Sequence, residues 1–248
     1  MNKQTTHFGY RTVKTQDKAG LVRDVFDRVA DRYDLMNDLM SLGIHRLWKR
    51  FAIRLAGVRP GHTVLDLASG TGDLIIRLAD LVGPTGQVIM SDINAAMLQH
   101  GRDRLIDQGE GHQVRYLQID AEQLPFPDDC IDRITIAFGL RNVTDKDQAL
   151  TEMYRVLKPG GRALILEFSR PTISSLRTVY DAYSFNLLPR LGDWVARDGD
   201  SYRYLVESIR QHPDQVSLRQ QLEAVGFEHC DVHNLSGGIV AVHRGHKL

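Results

Sequence analysis

Thr63 to Leu74 reads TVLDLASGTGDL, and this stretch decides the fold. Val64, Leu65 and Leu67 form a short apolar run with Asp66 set near its end. The turn Ala68-Ser69-Gly70-Thr71-Gly72 follows at once, and Asp73 and Leu74 open a predicted helix. Strand, glycine turn and helix make the first unit of a doubly wound α/β sheet, in which ligands lie beyond the carboxyl ends of the strands. Glycines there let the backbone pass close under a ligand. A carboxylate beside exposed backbone N–H groups suits a ligand carrying both charges, such as the amino-acid moiety of S-adenosylmethionine.

The rival reading is a dinucleotide site, whose fingerprint is G-x-G-x-x-G with the pyrophosphate on the helix N-terminus. Gly70 and Gly72 supply the first pair, but Ile75 stands where the third glycine belongs. Asp73 also puts a negative charge where pyrophosphate would sit.

Further strands follow in order. Gln87–Ser91 ends at Asp92, twenty residues beyond Gly72, where an acid hydrogen-bonds ribose hydroxyls; nicotinamide and sulfonium cofactors share that feature. Asn94 caps the next helix. Val114–Ile119 is followed by Asp120-Ala121-Glu122, an acid placed either for an adenine amine or for solvent. Ile131–Phe138 leads to Gly139-Leu140-Arg141-Asn142, polar groups at a strand tip where an acceptor would meet the cofactor. A helix over 145–157 is closed by Lys158-Pro159-Gly160-Gly161, and Arg162–Phe168 is a near-continuous apolar strand, as when both sheet faces are covered. Two strand-like runs around Ser236-Gly237-Gly238 predict a terminal hairpin, hence an antiparallel last strand.

The flanks are less regular. Residues 1–17 read as polar and loosely held, and a helical pattern starts at Ala19. Residues 33–55 read as two amphipathic helices whose methionines suit an adaptable cover over cofactor and acceptor. Within them Trp48, Lys49 and Arg50 are placed for membrane phosphates or for a solvated helix face. Thr172–Arg197, rich in aromatic and aliphatic residues, reads as core packing or as a lid over a hydrophobic acceptor. Helices near 200–210 and 214–224 precede the hairpin.

Composition narrows the class. Thirty-one basic and 31 acidic residues balance, so nothing advertises nucleic acid as a partner. The chain has 248 residues, enough for one α/β domain with additions. It divides into an N-terminal helical cap (1–60), a cofactor-binding core (61–170), a helical lid (171–225) and a hairpin (226–248). Cys130 and Cys230 lie far apart with no metal or disulfide spacing, so a reducing cytosol is the default. His45 and the other histidines are scattered and read as surface or capping residues; no metal is expected. No run approaches the ~18 apolar residues of a membrane span.

The glycine turn, Asp92, RVLKPGG and the terminal hairpin resemble a Rossmann-like, class I S-adenosylmethionine-dependent methyltransferase. YDLMNDLMSLGIHRLWKR (33–50) and AFGLRNVTDKDQALTEMYRVLKPGGRALILEFSRP (137–171) closely resemble the ubiquinone/menaquinone biosynthesis C-methyltransferase family, the UbiE type. THFGY, YDAYSFNLLPRLG, DSYRYLVESIR and GGIVAVHRG extend the likeness to nearly the whole chain. The resemblance implies C-methylation of a polyprenylated benzoquinol, of demethylmenaquinol, or of both. It implies cofactor contacts at Thr71, Asp92, Asp120 and Ala121, beside the turn residues Asp66, Gly70 and Gly72. Asp120 stands where the family commonly has Asn, and Ala137 where it often has Ser, which leaves Ala137 only backbone or packing contact.

For such a reaction a quinol carbon attacks the sulfonium methyl in line, after the ring hydroxyl loses its proton. Arg141 and Asn142 are the acceptor-side candidates, with Tyr33 positioning the ring. Arginine is too basic to take a proton at pH 7, so Arg141 would stabilise a quinolate or orient a water. A salt bridge to an acid such as Asp145 is the alternative for Arg141. A bilayer-borne acceptor implies transient membrane contact at the inner face, or a multi-enzyme assembly. Methylation of another lipophilic phenol or acid, or a non-catalytic binding role, are the alternatives; oligomeric state is not readable.

Overall fold

A computed structural model of the chain describes residues 4–29, 37–38, 41, 43–109, 113–173, 178, 180, 183 and 199–248. Its centre is a seven-stranded sheet: β3 (Thr63–Leu67), β4 (Gln87–Asp92), β5 (Val114–Gln118), β6 (Ile131–Ala137), β7 (Leu157–Phe168), β8 (Glu228–Leu235) and β9 (Val240–His246). The order is β5-β4-β3-β6-β7-β9-β8. The first five strands run parallel, while β9 is antiparallel to β7 and β8 to β9. The order reverses between β3 and β6, which opens a crevice at their carboxyl ends.

The parallel strands are apolar almost throughout because helices cover both faces. On one face α2 (His45–Ala56), α3 (Ile75–Val82), α4 (Ala95–Asp107) and α6 (Gly199–Gln211) pack on residues such as Val64, Met90, Leu164 and Val242. On the other, α5 (Lys146–Val156) and α7 (Gln215–Ala224) pack on Leu65, Leu67, Ile134 and Ile165. Asn94, Asp145 and Asp214 cap α4, α5 and α7, each accepting from a first-turn N–H. The Lys158–Gly161 segment expected to close a helix instead extends β7, which begins at Leu157.

The N-terminus departs from its reading as loose chain. Thr5–Phe8 (β1) and Arg11–Lys14 (β2) pair as an antiparallel hairpin, and α1 (Thr15–Val29) starts directly after it. The hairpin is held by α6: Phe8 stacks on Tyr204 with centroids 4.2 Å apart, and Tyr10 N–H donates to Glu207 Oε2 at 3.0 Å. The cap over 1–60 is therefore hairpin as well as helix.

Trp48 and Lys49 are 5% and 9% exposed, so neither reaches a membrane or a solvated face. Trp48 packs against Phe138 and Phe168, and Lys49 forms an ion pair with Asp73 at 2.6 Å. His45, His212 and His243 are buried too, so the surface half of their reading as surface or capping residues does not hold for them; His45 Nε2 is hydrogen-bonded to Asp38 Oδ1 at 2.9 Å. Most of the expected lid over 172–197, the methionine-bearing segment before α2, and Tyr33 lie outside the described residues.

Candidate active site

The site begins with the glycine turn after β3. Ala68, Gly70 and Gly72 all take positive φ (49°, 56° and 80°), which folds the chain back beneath the strand tips. Asp92, at the end of β4, fastens this turn: its Oδ2 accepts Gly70 N–H at 2.9 Å and its Oδ1 accepts Asn94 N–H at 2.9 Å. Burial raises the Asp92 carboxyl above its ordinary range, against the pull of those backbone donors. Behind the turn, α4 approaches so closely that a Cβ on Gly101 would come within 2.9 Å of Gly70 O.

Asp73 is flanked by two cations, Lys49 at 2.6 Å and Arg104 at 2.8 Å. Burial pushes its carboxyl up, but the two cations outweigh burial and hold it at about 2. Asp73 is thus a neutralised clamp, and it lies ahead of α3, which starts at Ile75. Its charge is no argument against pyrophosphate; the missing third glycine alone carries that distinction.

A cavity of about 280 Å³ opens at the β3/β6 crevice. Gly70, Asp92, Asp120 and Ala121 lie along one side, and Ile136, Phe138, Gly139 and Asn142 along another. Helix α1 forms a roof through Ala19, Val22, Arg23 and Phe26. The roof is latched at both rims. Lys18 Nζ donates to Val143 O at 3.1 Å, and Asn94 Nδ2 donates to Asp27 Oδ1 at 2.7 Å. Burial brings the Lys18 ammonium down to about 8.

Of the sequence-predicted residues, Gly70, Asp92, Asp120, Ala121 and Asn142 meet at this cavity. Thr71, Gly72 and Ala137 support it from behind: Thr71 O accepts from Arg104, Gly72 fits against Met90, and Ala137 packs in the core. Asp66 is wholly buried. Thr135 Oγ1 donates to its Oδ1 at 2.5 Å, its Oδ2 has no hydrogen-bond partner among the described residues, and burial raises its pKa to about 6.

Arg141 lies behind the cavity wall. Its Nη1 donates to Phe138 O and to Glu167 Oε1, the latter at 3.0 Å, and its backbone N–H donates to Glu167 Oε2 at 3.2 Å. The two side chains are 2% and 1% exposed. The ion pair is therefore with Glu167 on β7, not with Asp145, which caps α5. Glu122 accepts Thr144 N–H and Asp145 N–H at 2.8 and 3.0 Å, which ties the β5 and β6 loops together.

The sequence singled out a helical cap over 1–60 but neither α1 as the part lying on this cavity nor Tyr204, whose hydroxyl donates to Asn142 Oδ1 at 3.0 Å. The apolar face of α1 was visible, but nothing local said which surface it would cover. Among the described residues no three His, Cys, Asp or Glu side chains are grouped to hold a metal. The glycine cradle, a buried carboxylate and apolar walls fit a nucleoside whose hydroxyls face Asp92.

A profile of the ubiE/COQ5 methyltransferase family matches residues 11–247. A ubiquinone/menaquinone biosynthesis C-methyltransferase UbiE of Erwinia tasmaniensis is 61% identical over 247 residues, covering 100% of this chain and 98% of the relative. Its counterpart in Edwardsiella ictaluri is 62% identical over 245 residues, covering 99% and 98%. In three dimensions the chain is similar to a SAM-dependent methyltransferase from Aquifex aeolicus, with a TM-score of 0.64, 18% identity, and coverage of 87% of this chain and 98% of that one.

Proposed function

The chain belongs to the ubiE/COQ5 methyltransferase family, and on that premise we propose how its cavity performs the family's reaction. The protein is an S-adenosylmethionine-dependent C-methyltransferase of ubiquinone/menaquinone biosynthesis. Asp92 accepts from the ribose hydroxyls, the Gly70 backbone receives the amino-acid end, and Asp120 and Ala121 face the adenine. Thr71, Gly72, Asp66 and Ala137 act on the cofactor by shaping the turn and strand tip from behind. Bound S-adenosylmethionine supplies an electrophilic methyl group.

The acceptor lies against Phe26, Val22, Phe138 and Asn142. Asn142 hydrogen-bonds the ring oxygen, and the apolar roof excludes water from a reaction that water would otherwise screen. Arg141 acts by holding the 140–142 turn through Glu167. The observation that carries this reading is the convergence of Gly70, Asp92, Asp120 and Asn142 on one cavity at the β3/β6 crevice.

Purified protein should methylate a short-chain demethylated quinol, seen as one added methyl by mass spectrometry. Asp92→Ala should weaken S-adenosylmethionine severalfold in calorimetry; unchanged affinity refutes the ribose role. A strain lacking the protein should accumulate the unmethylated quinone precursor.

The polyprenyl tail calls for a bilayer, yet no helix among the described residues is long and apolar enough to cross one. A transient contact at the membrane's inner face serves instead. Leu47, Arg50 and Arg54 are exposed on α2, with Ile44 exposed at its N-cap, and this surface replaces Trp48 and Lys49 as the candidate. Association with other quinone-biosynthetic enzymes is the second way to deliver such an acceptor.

A further inference from the structure

An amide at a catalytic wall has two chemically opposite ends, and its use depends on which end faces the ligand. Asn142 closes the turn after β6 and lines the cavity. Its Oδ1 accepts the hydroxyl of Tyr204 at 3.0 Å. Tyr204 comes from α6, some sixty residues away, and is 5% exposed. A buried phenolic proton needs an acceptor. Reversing the amide would set N–H against the hydroxyl and leave that proton without one, at a cost of about 1–3 kcal/mol. The ring cannot easily move away, because Phe8 of the N-terminal hairpin stacks on it at 4.2 Å with 19° between the planes.

We infer that Tyr204 is a positioning residue: it fixes the Asn142 amide so that the Nδ2 donor, and not the oxygen, faces the acceptor. This rests on the methyltransferase reading above and adds a selection rule to it. The acceptor must present an oxygen that gains negative charge beside the attacking carbon, as an ionising phenol does. A neutral hydroxyl gains less from the same donor, so the preset amide favours the ionised acceptor. Burial raises the Tyr204 hydroxyl well above the ordinary phenolic range, which keeps its proton in place for this bond. The hairpin, which stacks Phe8 on this ring, thereby gains a role in turnover.

The test uses the purified full-length chain, S-adenosylmethionine and a short-chain quinol kept reduced, with turnover measured from about pH 6 to pH 10. Tyr204→Phe keeps the stacked ring and removes only the hydroxyl. It should lower kcat by about tenfold or more and move the rise of kcat to higher pH, while S-adenosylmethionine affinity changes by less than about twofold. Combined with Asn142→Ala it should lose no more than Asn142→Ala alone, because both act through one amide. Wild-type kcat and pH profile in Tyr204→Phe, or losses that add in the double variant, overturn the inference. Should Tyr204→Phe not fold, Asn142→Asp decides. It keeps an acceptor for Tyr204 but turns oxygen toward the cavity, so a tenfold fall supports the assignment and wild-type turnover overturns it. A wild-type chain that methylates no quinol would instead overturn the acceptor reading, and the inference with it.

Discussion

Glu167→Ala is expected to destabilise the protein by at least about 3 kcal/mol, for reasons that can be followed bond by bond. Glu167 is 1% exposed and is the counter-charge of Arg141, itself 2% exposed, with Nη1 and Oε1 3.0 Å apart. Its oxygens also accept Arg141 N–H at 3.2 Å and Phe168 N–H at 2.9 Å. Removing one partner of a buried pair costs about 3–5 kcal/mol, since the remaining charge has lost its compensation. The two backbone donors add to this only where water cannot reach them. Against a typical total of about 5–15 kcal/mol, that is a large share. For a chain of this size each kcal/mol moves Tm by about 2–4 °C, so a fall of at least roughly 6 °C is expected. Urea unfolding followed by circular dichroism measures the change directly. Arg141→Met combined with Glu167→Leu should recover most of the loss, because Phe138 and Phe168 already surround the site with apolar surface, while turnover stays low. A loss below about 1 kcal/mol in Glu167→Ala would mean that the pair is not desolvated as described.

Asp66 sets a pH dependence. Its folded pKa of about 6 lies above the ordinary 3.8, so folding takes up a proton between those values. The resulting penalty is absent at lower pH, grows as pH rises and is complete above the folded value, where it reaches roughly 3 kcal/mol. Asp66→Asn should therefore raise Tm at pH 7 and make no difference in strong acid; equal effects at both would exclude the linkage. Gly101→Ala should weaken S-adenosylmethionine binding and cost about 1–3 kcal/mol, because the added methyl meets Gly70 O. Calorimetry and thermal melts check both, and a neutral outcome would show that α4 can shift. Leu47→Glu, at a position 60% exposed, should reduce sedimentation with anionic vesicles severalfold without changing S-adenosylmethionine affinity. Unchanged sedimentation removes α2 as the membrane face.

The sheet was legible because the central parallel strands, buried on both faces, are written as apolar runs closed by turns, while the edge strand β5 is half-exposed. The convergence of Gly70, Asp92 and Asp120 on one cavity was legible for the same reason: they sit at strand tips, and strand tips converge. What failed was the direction of single side chains. Arg141 follows a strand tip and was expected to face the acceptor, yet its partner Glu167 lies 26 residues away. A signal existed, since Glu167 is the lone acid in RALILEF and a buried strand acid needs a donor. Asp66 in TVLDL meets Thr135 in RITIAF by the same logic. The hairpin over 5–14 gave no such sign. Its residues are mostly exposed and its anchor, Tyr204, comes from the other end of the chain.

Most charges near this cavity are answered by a partner on the protein. Asp73 is answered by Lys49 and Arg104, Arg141 by Glu167, Glu122 by two backbone N–H groups, and Lys18 donates to a carbonyl. Facing the cavity are Arg23, Asp92, Asp120, Glu122 and the Asn142 amide, set among Val22, Phe26, Ile136 and Phe138. That distribution suits a methyl transfer from a sulfonium to an ionised ring, which brings together a positive and a negative group and leaves both neutral. Water would stabilise the separated charges and so hold the reactants back. Apolar walls remove that stabilisation, while one preset donor on the ring oxygen keeps the acceptor ionised at modest pH. A site rich in unpaired charges would do the opposite, binding the reactants more firmly than the state in which their charges cancel.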